Sequence, residues 1–573
     1  MAERSDKRPR PRGDGPEAAE RGPRAETGAA VGNAGERVSV ARATVAARLW
    51  RLLGGGSGVG AAVLTGLLLA AAYPSLGAWP LALCGWTPLL LRLRRGDLSL
   101  AGAAGLGLLA GTLLHVVVFH WIADTMRDMS GFPMPLAAAV VLLYGAGMGL
   151  HQAATAAMVA AHRRSGWRLG LAPVVAALAV LSAEVIVPYQ FPWFLGNAFY
   201  TAPWLHQAAD LIGIWGVSAA AIACSALLAE LIAEPARRGR NGVSLAALLA
   251  LWLGYGALRI EALESTPATR TVRGLLVQHN PSLREKKAES PKPRLPMLAR
   301  AKALTQKAEL EEVDLIVWSE GALPFFYVPS EVDGRAPDAK PIGRANALLR
   351  GMTREIDALA EELGKPMIVG TLRRLDPDWR ERARNAALVL VPGRPRAFYD
   401  KQRLVPFGEY MPGRDLVPAL AESIPGISDI GAGEGAAVFD VGVARAGLSI
   451  CYENLFPALV HDLHRDAEVL INLTDDVWFG RSNAPELHLM VQAARAVELR
   501  RPLWRATATG HTAAIDAAGR VVARAPWFSA TTLKVEAEVR EMGSPFRLWG
   551  VWPAWLLALA GVALVGWCWR RAR

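Results

Sequence analysis

Cysteine is scarce: the 573-residue chain has four, at Cys84, Cys224, Cys451 and Cys568. No CxxC pair or Cys/His spacing accompanies them, so neither a disulfide framework nor a structural metal module organises this protein. Lys and Arg are missing from residues 189–204, and runs long enough to cross a bilayer are missing from residues 271–546. Even so, 52% of the residues are hydrophobic and the mean hydropathy is +0.22, more apolar than a soluble chain of this length. The excess therefore lies in the first half and at the extreme C-terminus. The net charge of +11 does not imply nucleic acid, because much of the basic charge flanks hydrophobic segments.

Residues 1–50 are rich in Arg, Glu, Gly, Ala and Pro without apolar periodicity, which reads as a disordered, basic cytoplasmic tail. Residues 51–260 read as a transmembrane bundle of about seven spans, near 57–75, 76–93, 98–123, 135–161, 170–188, 205–232 and 243–258. An eighth span is expected within 549–570. Ala70-Ala71-Ala72 resembles a processing site, but the first run is long for a signal peptide and another follows at once, so it is read as retained. Arg92, Arg94 and Arg95 follow the second span, Arg163, Arg164 and Arg168 the fourth, and Arg237, Arg238 and Arg240 the sixth. This alternation places the tail and the basic loops in the cytoplasm and residues 271–546 on the far side.

Residues 271–546 alternate short β-rich runs (272–278, 315–318, 367–371, 386–391, 448–450, 469–473) with helix-like segments such as 344–363 and 485–500. Strands this apolar imply a sheet covered on both faces or sandwiched between layers. The run Ala446-Gly-Leu-Ser-Ile450 ends abruptly on Cys451, followed by Tyr452 and Glu453. A lone cysteine is ordinarily a buried structural residue. Here, however, a strand-to-helix junction would set its thiol near backbone N–H groups, which favour a thiolate and can hold an oxyanion. Two other strand ends carry charge: Glu320 after Leu315-Ile-Val-Trp-Ser, and Lys401 after Phe398-Tyr-Asp, with Glu409 close behind. Together they supply a base, a cation for a tetrahedral oxyanion, and a nucleophile. No histidine lies in these stretches, so a Cys–His dyad has less support.

At these residues the chain resembles the nitrilase superfamily of carbon–nitrogen hydrolases, and within it the membrane-bound branch of apolipoprotein N-acyltransferases. The likeness is carried by Lys401-Gln-Arg-Leu-Val-Pro-Phe-Gly-Glu409-Tyr-Met-Pro412, Ile450-Cys451-Tyr452-Glu453, Asn472-Leu-Thr-Asp-Asp-Val-Trp-Phe-Gly480 and Arg495-Ala-Val-Glu-Leu-Arg-Arg-Pro-Leu-Trp-Arg505. In the membrane half it is carried by Phe191-Pro-Trp-Phe-Leu-Gly196-Asn and Gly213-Ile-Trp-Gly216-Val-Ser. The resemblance implies an αββα sandwich domain and a Glu–Lys–Cys triad: Glu320 as general base, Lys401 as stabiliser and Cys451 as acylated nucleophile. Glu409, Tyr452 and Glu453 are implied as active-site support, and no cofactor or metal is expected. Ser319 stands where the family pattern has proline and Asp475 where it has asparagine, while Ala508 and His511 also depart from it.

The reaction so implied is ping-pong transfer of an acyl chain from a phospholipid, through a Cys451 thioester, to the α-amino group of a diacylated apolipoprotein. It would occur at the bacterial inner membrane, with a monomeric enzyme whose catalytic domain faces the periplasm. The apolar segments 323–329 and 404–407 read either as a lid or lipid entry or as ordinary loop packing. Two rivals remain. A membrane-tethered amidase or nitrilase-type hydrolase would use the same triad with water as acceptor, but one span would suffice to anchor it. A transporter or scaffold would need buried charges along its path, for which Glu184 and Asp210 are the clear candidates.

Overall fold

The computed structural model describes residues 57–165, 172–288, 292–327, 344–374, 382–413, 416–417 and 428–572. The tail expected at 1–50 lies outside them. The membrane half consists of α1 (Val59–Ala72), α2 (Thr87–Leu93), α3 (Leu100–Val118), α4 (Trp121–Ser130), α5 (Met134–Met148), α6 (Leu150–Arg164), α7 (Ala172–Ile186), α8 (Ile214–Ala233) and α9 (Arg238–Ser265). Among the described residues, five helices are long and apolar enough to cross a bilayer: Leu100–Val118, Met134–Arg164, Ile214–Ala233, Pro235–Ser265 and Trp552–Arg571. Two further apolar helices, Val59–Ala72 and Ala172–Ile186, are shorter.

The span expected at 76–93 is not one helix. It is a 3-10 turn, Trp79–Leu83, followed by the seven-residue α2. Pro80 and Pro88 lack the backbone N–H that a continuous ladder needs, and Gly77 takes a left-handed φ of 63° just before. Small residues bring the helices into close contact: a Cβ on Gly107 of α3 would lie 2.3 Å from the Gln152 carbonyl oxygen of α6.

The arginine-rich loops meet at one end of the bundle. Arg94 pairs with Glu230 at 3.3 Å and also with Glu234, and Arg163 reaches Glu230 as well. The C-terminal helix Trp552–Ala572 arrives at this same end, with Cys568 Sγ 3.8 Å from His162 Nδ1. At the opposite end, Asn483 Nδ2 donates to the carbonyls of Pro74 and Val118 at 2.9 and 3.1 Å, fastening the second half of the chain to the bundle.

The second half is a two-sheet sandwich. One sheet runs β13 (Thr531–Arg540), β1 (Ala268–Gln278), β2 (Leu315–Trp318), β4 (Met367–Arg373), β5 (Arg384–Leu390) and β6 (Ala397–Asp400), with β3 (Phe326–Tyr327) pairing off β4. The other runs β12 (Val521–Arg524), β11 (Ala513–Ile515), β10 (Leu503–Thr507), β9 (Val469–Thr474), β8 (Arg445–Ile450) and β7 (Val438–Asp440). Each has a parallel centre, β1–β2–β4 and β8–β9–β10. Alternation along the strands divides their side chains between two layers. Val272, Leu276, Val317 and Ile368 meet Leu448, Ile450, Ile471 and Trp504 between the sheets. Leu275, Val277, Ile316 and Trp318 face outward beneath α10 (Leu295–Lys307) and α11 (Arg344–Leu363). Gly274 is required where it sits, because a Cβ there would lie 2.6 Å from the Trp504 ring.

The outer face of the second sheet is covered by α12 (Pro457–His464) and α13 (Ala484–Leu499). Leu487, Met490 and Val497 of α13 belong to the same buried cluster as Phe199, Ile214 and Val217 of the bundle. Sandwich and bundle thus share one apolar core, a continuity the sequence does not indicate.

Asp210 is the polar centre of that seam. Its side chain is fully buried, and Oδ2 receives Arg500 Nη2 at 2.5 Å and Arg259 Nε at 2.7 Å, while the Tyr255 hydroxyl donates to Oδ1 at 2.5 Å. Glu184 accepts from the Leu195 amide at 3.0 Å. Both carboxylates named for a transport path thus have structural partners. Removing one member of a buried ion pair strands the other charge, at a cost of about 3–5 kcal/mol. Asp210→Ala should therefore lower the thermal midpoint in detergent and open the junction near Arg500 to limited proteolysis. An unchanged melting curve and cleavage pattern would refute this role for Asp210.

Candidate active site

Glu320, Lys401 and Cys451 each follow the last residues of a strand: Glu320 just beyond β2, Lys401 immediately after β6 and Cys451 immediately after β8. Two come from one sheet and the third from the other, so they converge across the sandwich. Lys401 is almost wholly buried, and its Nζ lies 2.9 Å from Glu409 Oε1 and 3.5 Å from Glu320 Oε1. Asn385 Nδ2 donates to both carboxylates, at 2.7 Å to Glu320 and 2.8 Å to Glu409. The second Glu409 oxygen accepts from the Val405 amide at 2.8 Å.

Glu453 joins the two sides. Its Oε2 accepts the Ile450 amide at 2.7 Å, and its Oε1 accepts the Tyr399 hydroxyl at 2.8 Å and the amides of Gln402 and Arg403 at 2.7 and 3.1 Å. Tyr452, expected as active-site support, turns toward the membrane half. Its hydroxyl donates to the Gln190 carbonyl, and its ring stands edge-on to Phe191 at 5.6 Å.

Burial sets the proton balance. It pushes the Glu320 carboxyl above the ordinary range, with Glu409 and Asp475 pushing the same way and Lys401 opposing. Burial disfavours the Lys401 charge, but Glu409 and Glu320 outweigh it and hold the amine protonated. The Cys451 thiol is driven well up by burial and then by Glu320, against the pull of Lys401. Burial and the Glu320 carboxylate thus act against the thiolate that the N–H groups of the five-residue 3-10 turn, Cys451–Leu455, favour.

The apolar loops divide. Leu323, Phe325 and Tyr327 are buried in the core, as ordinary packing, whereas Phe407, Leu416 and Val417 are exposed. Residues 328–329 lie outside the described set. Among the departures from the family pattern, Ser319 Oγ lies 3.3 Å from His279 Nδ1, both buried. Asp475 pairs with Lys286 at 2.6 Å. His511 lies 3.2 Å from Glu486, away from the triad. Ala508 engages Thr474 and Asn280 through its backbone alone.

Sequence reasoning missed Asn385, Lys286 and His488, whose Nε2 lies 3.2 Å from the Cys451 carbonyl oxygen. Asn385 left one trace, a buried amide beside an otherwise apolar run.

The class of protein follows. Residues 276–544 match the family model for carbon–nitrogen hydrolases, so this two-sheet domain with a buried carboxylate–amine–thiol site is of that class. Residues 65–227 match the model of the apolipoprotein N-acyltransferase N-terminal domain. The apolipoprotein N-acyltransferase of Geobacter metallireducens is 30% identical over 519 residues, covering 88% of this chain and 94% of that relative. That of Azotobacter vinelandii is 30% identical over 529 residues, covering 89% and 95%. A solved carbon–nitrogen hydrolase from Helicobacter pylori G27 aligns at 15% identity with a TM-score of 0.33, covering 53% of this chain and 95% of that one. This chain belongs to the apolipoprotein N-acyltransferase family.

The Asp475 carboxylate raises Glu320, and Lys286 is its counter-ion. Asp475→Asn removes a negative neighbour and leaves a positive one, and both changes favour the ionised form of Glu320. With Glu320 in the role of base that the family resemblance implies, the acid limb of kcat/KM should therefore move to lower pH. A pH–rate profile that shifts upward or stays in place would contradict this electrostatic assignment.

Proposed function

We propose that the protein N-acylates lipoproteins, moving an acyl chain from a phospholipid to the free α-amino group of a diacylated N-terminal cysteine by way of a thioester on Cys451. In the first half-reaction Glu320 takes the thiol proton and sulfur attacks the ester carbonyl. The Lys401 ammonium steadies the oxyanion, the carbon–oxygen bond breaks, and the lyso-lipid oxygen receives the proton from Glu320. In the second, the amine attacks the thioester, the carbon–sulfur bond breaks, and Glu320 passes the amine proton to sulfur.

The observation that carries this reading is the place of the nucleophile. The residue after Cys451 is anchored by its hydroxyl to Gln190 and by its ring to Phe191, and it belongs to the apolar cluster of the bundle. Cys451 itself packs against the core between the sheets, one residue from that cluster, so an acyl chain on it would have the membrane helices within reach, where water is sparse and a thioester persists. The exposed Phe407, Leu416 and Val417 fit a loop that meets lipid. Protein incubated with phospholipid alone should carry a hydroxylamine-sensitive acyl adduct on Cys451, absent in Cys451→Ala. A diacylated lipopeptide should discharge it to an N-acylated product, whereas an N-blocked one should not. Rapid loss in buffer with free fatty acid accumulating would make water the acceptor and the protein a hydrolase.

We further infer that the chain crosses the bacterial inner membrane eight times, counting the two shorter helices and the interrupted segment 79–93, with residues 271–546 in the periplasm. The gathering of Arg94, Arg163 and the C-terminal helix at one end of the bundle supports this orientation. Periplasm-dependent reporters fused after Leu258 should be active and those fused after Arg240 silent. An active fusion at Arg240 would overturn the topology.

A further inference from the structure

Cys451 adopts a φ of 53°, in the left-handed region that non-glycine residues rarely occupy. Such a conformation persists only where its surroundings over-determine it. Glu453 fixes the amide of Ile450, one residue before, but something else must hold the peptide that follows. The Cys451 carbonyl oxygen is where that hold is applied. Asn472 Nδ2 donates to it at 3.4 Å from β9, and His488 Nε2 lies 3.2 Å away on α13. Each partner is itself braced. Asn472 Oδ1 accepts from Thr474 at 2.5 Å and from Gln492 at 2.7 Å, and its Nδ2 also reaches Ser449 Oγ at 3.1 Å. His488 Nδ1 lies 3.3 Å from Asp476 Oδ1, and Asp476 is gripped by Arg505 at 3.1 and 2.9 Å. His488, Asp476, Arg505, Asn472 and Gln492 are all buried.

We propose that His488 is a positioning residue for the nucleophile: it donates Nε2–H to the Cys451 carbonyl and, with Asn472, locks the left-handed turn that aims the thiol at Glu320 and Lys401. The assignment rests on Cys451 being the nucleophile and extends that reading to α13, which the triad does not include. The ring stands between two acceptors, the Asp476 carboxylate at Nδ1 and the Cys451 carbonyl at Nε2, so both nitrogens donate together only in the imidazolium form, which burial and then Arg505 oppose and Asp476 and the carbonyl favour. Without the donor, an acceptor is left half-satisfied and the residue is free to relax toward the right-handed region, carrying sulfur off its line of attack. A misplacement of about 1 Å costs on the order of 100-fold in rate.

The test separates aim from folding and from function. Cys451 is followed by peptide mapping during alkylation with iodoacetamide, each rate being normalised to the titratable Cys451 thiol, so that unfolded protein does not count. His488→Phe keeps the volume without a donor, and His488→Gln restores an N–H near the Nε2 position. We expect the Phe variant to lose about 100-fold in both alkylation rate and acylation kcat, with KM for phospholipid changing less than about twofold, as expected of a residue that touches no substrate. The Gln variant should recover most of both rates. Wild-type alkylation and kcat in the Phe variant, or a Gln variant no better than Phe, would overturn the proposal. Full activity in Cys451→Ala would instead remove the nucleophile assignment, a distinct failure.

Discussion

The candidate active site depends on one buried carboxylate, Glu453. It accepts the Ile450 amide ahead of Cys451, the Tyr399 hydroxyl on β6, and two consecutive amides just beyond Lys401. These donors come from both sheets. The carboxylate therefore fixes the separation of the cysteine turn and the lysine loop, which no contact within either sheet could do. Hydrogen bonds to a charged acceptor are roughly twice as strong as neutral ones, and four of them offset much of the cost of burying the charge. Burial still leaves the pKa of Glu453 above its ordinary value.

With that frame set, the electrostatics of the triad follow from crowding. Two carboxylates and one amine share a space that admits little water. Asn385 donates to both acids, so neither Glu320 nor Glu409 can swing away from the ammonium between them. Glu409, the closer partner, secures Lys401, which leaves Glu320 less tightly held at 3.5 Å, with its proton affinity raised by burial. A carboxylate in that state suits the base role proposed for Glu320 better than an ordinary surface glutamate does. The arrangement separates the roles of two similar residues by placement alone.

The same crowding ties the site to the bundle. Tyr452, Asp210 and the apolar face of α13 each cross the seam, so the sandwich is packed onto the bundle as one core is packed, not tethered by a linker. The buried Asp210–Arg500 pair fixes the register of that contact, since an ion pair of this kind is costly to leave half-made.

Much of this was legible in the chain itself. Apolar runs at 315–318, 448–450 and 469–473 specified strands because strands buried on both faces need continuous hydrophobicity. Polar residues just after strands marked Glu320, Lys401 and Cys451 because a packed core would not choose such residues there. The arginine loops likewise marked one end of the bundle. Other features were decided only by tertiary structure. The run at 76–93 is apolar enough to cross as a helix, yet its prolines divide it, since composition measures lipid affinity and not hydrogen-bond continuity. The Cys451 thiol is pushed up by burial and by Glu320, because a pKa depends on desolvation and on charges distant in sequence. Asn385, Lys286 and His488 escaped notice for a related reason: each acts through a partner far along the chain, and no spacing rule records a contact made by folding. Local sequence thus determined which elements form and which strand ends carry charge, while the fold decided which of those charges meet and in what protonation state, because both depend on distances that only packing sets.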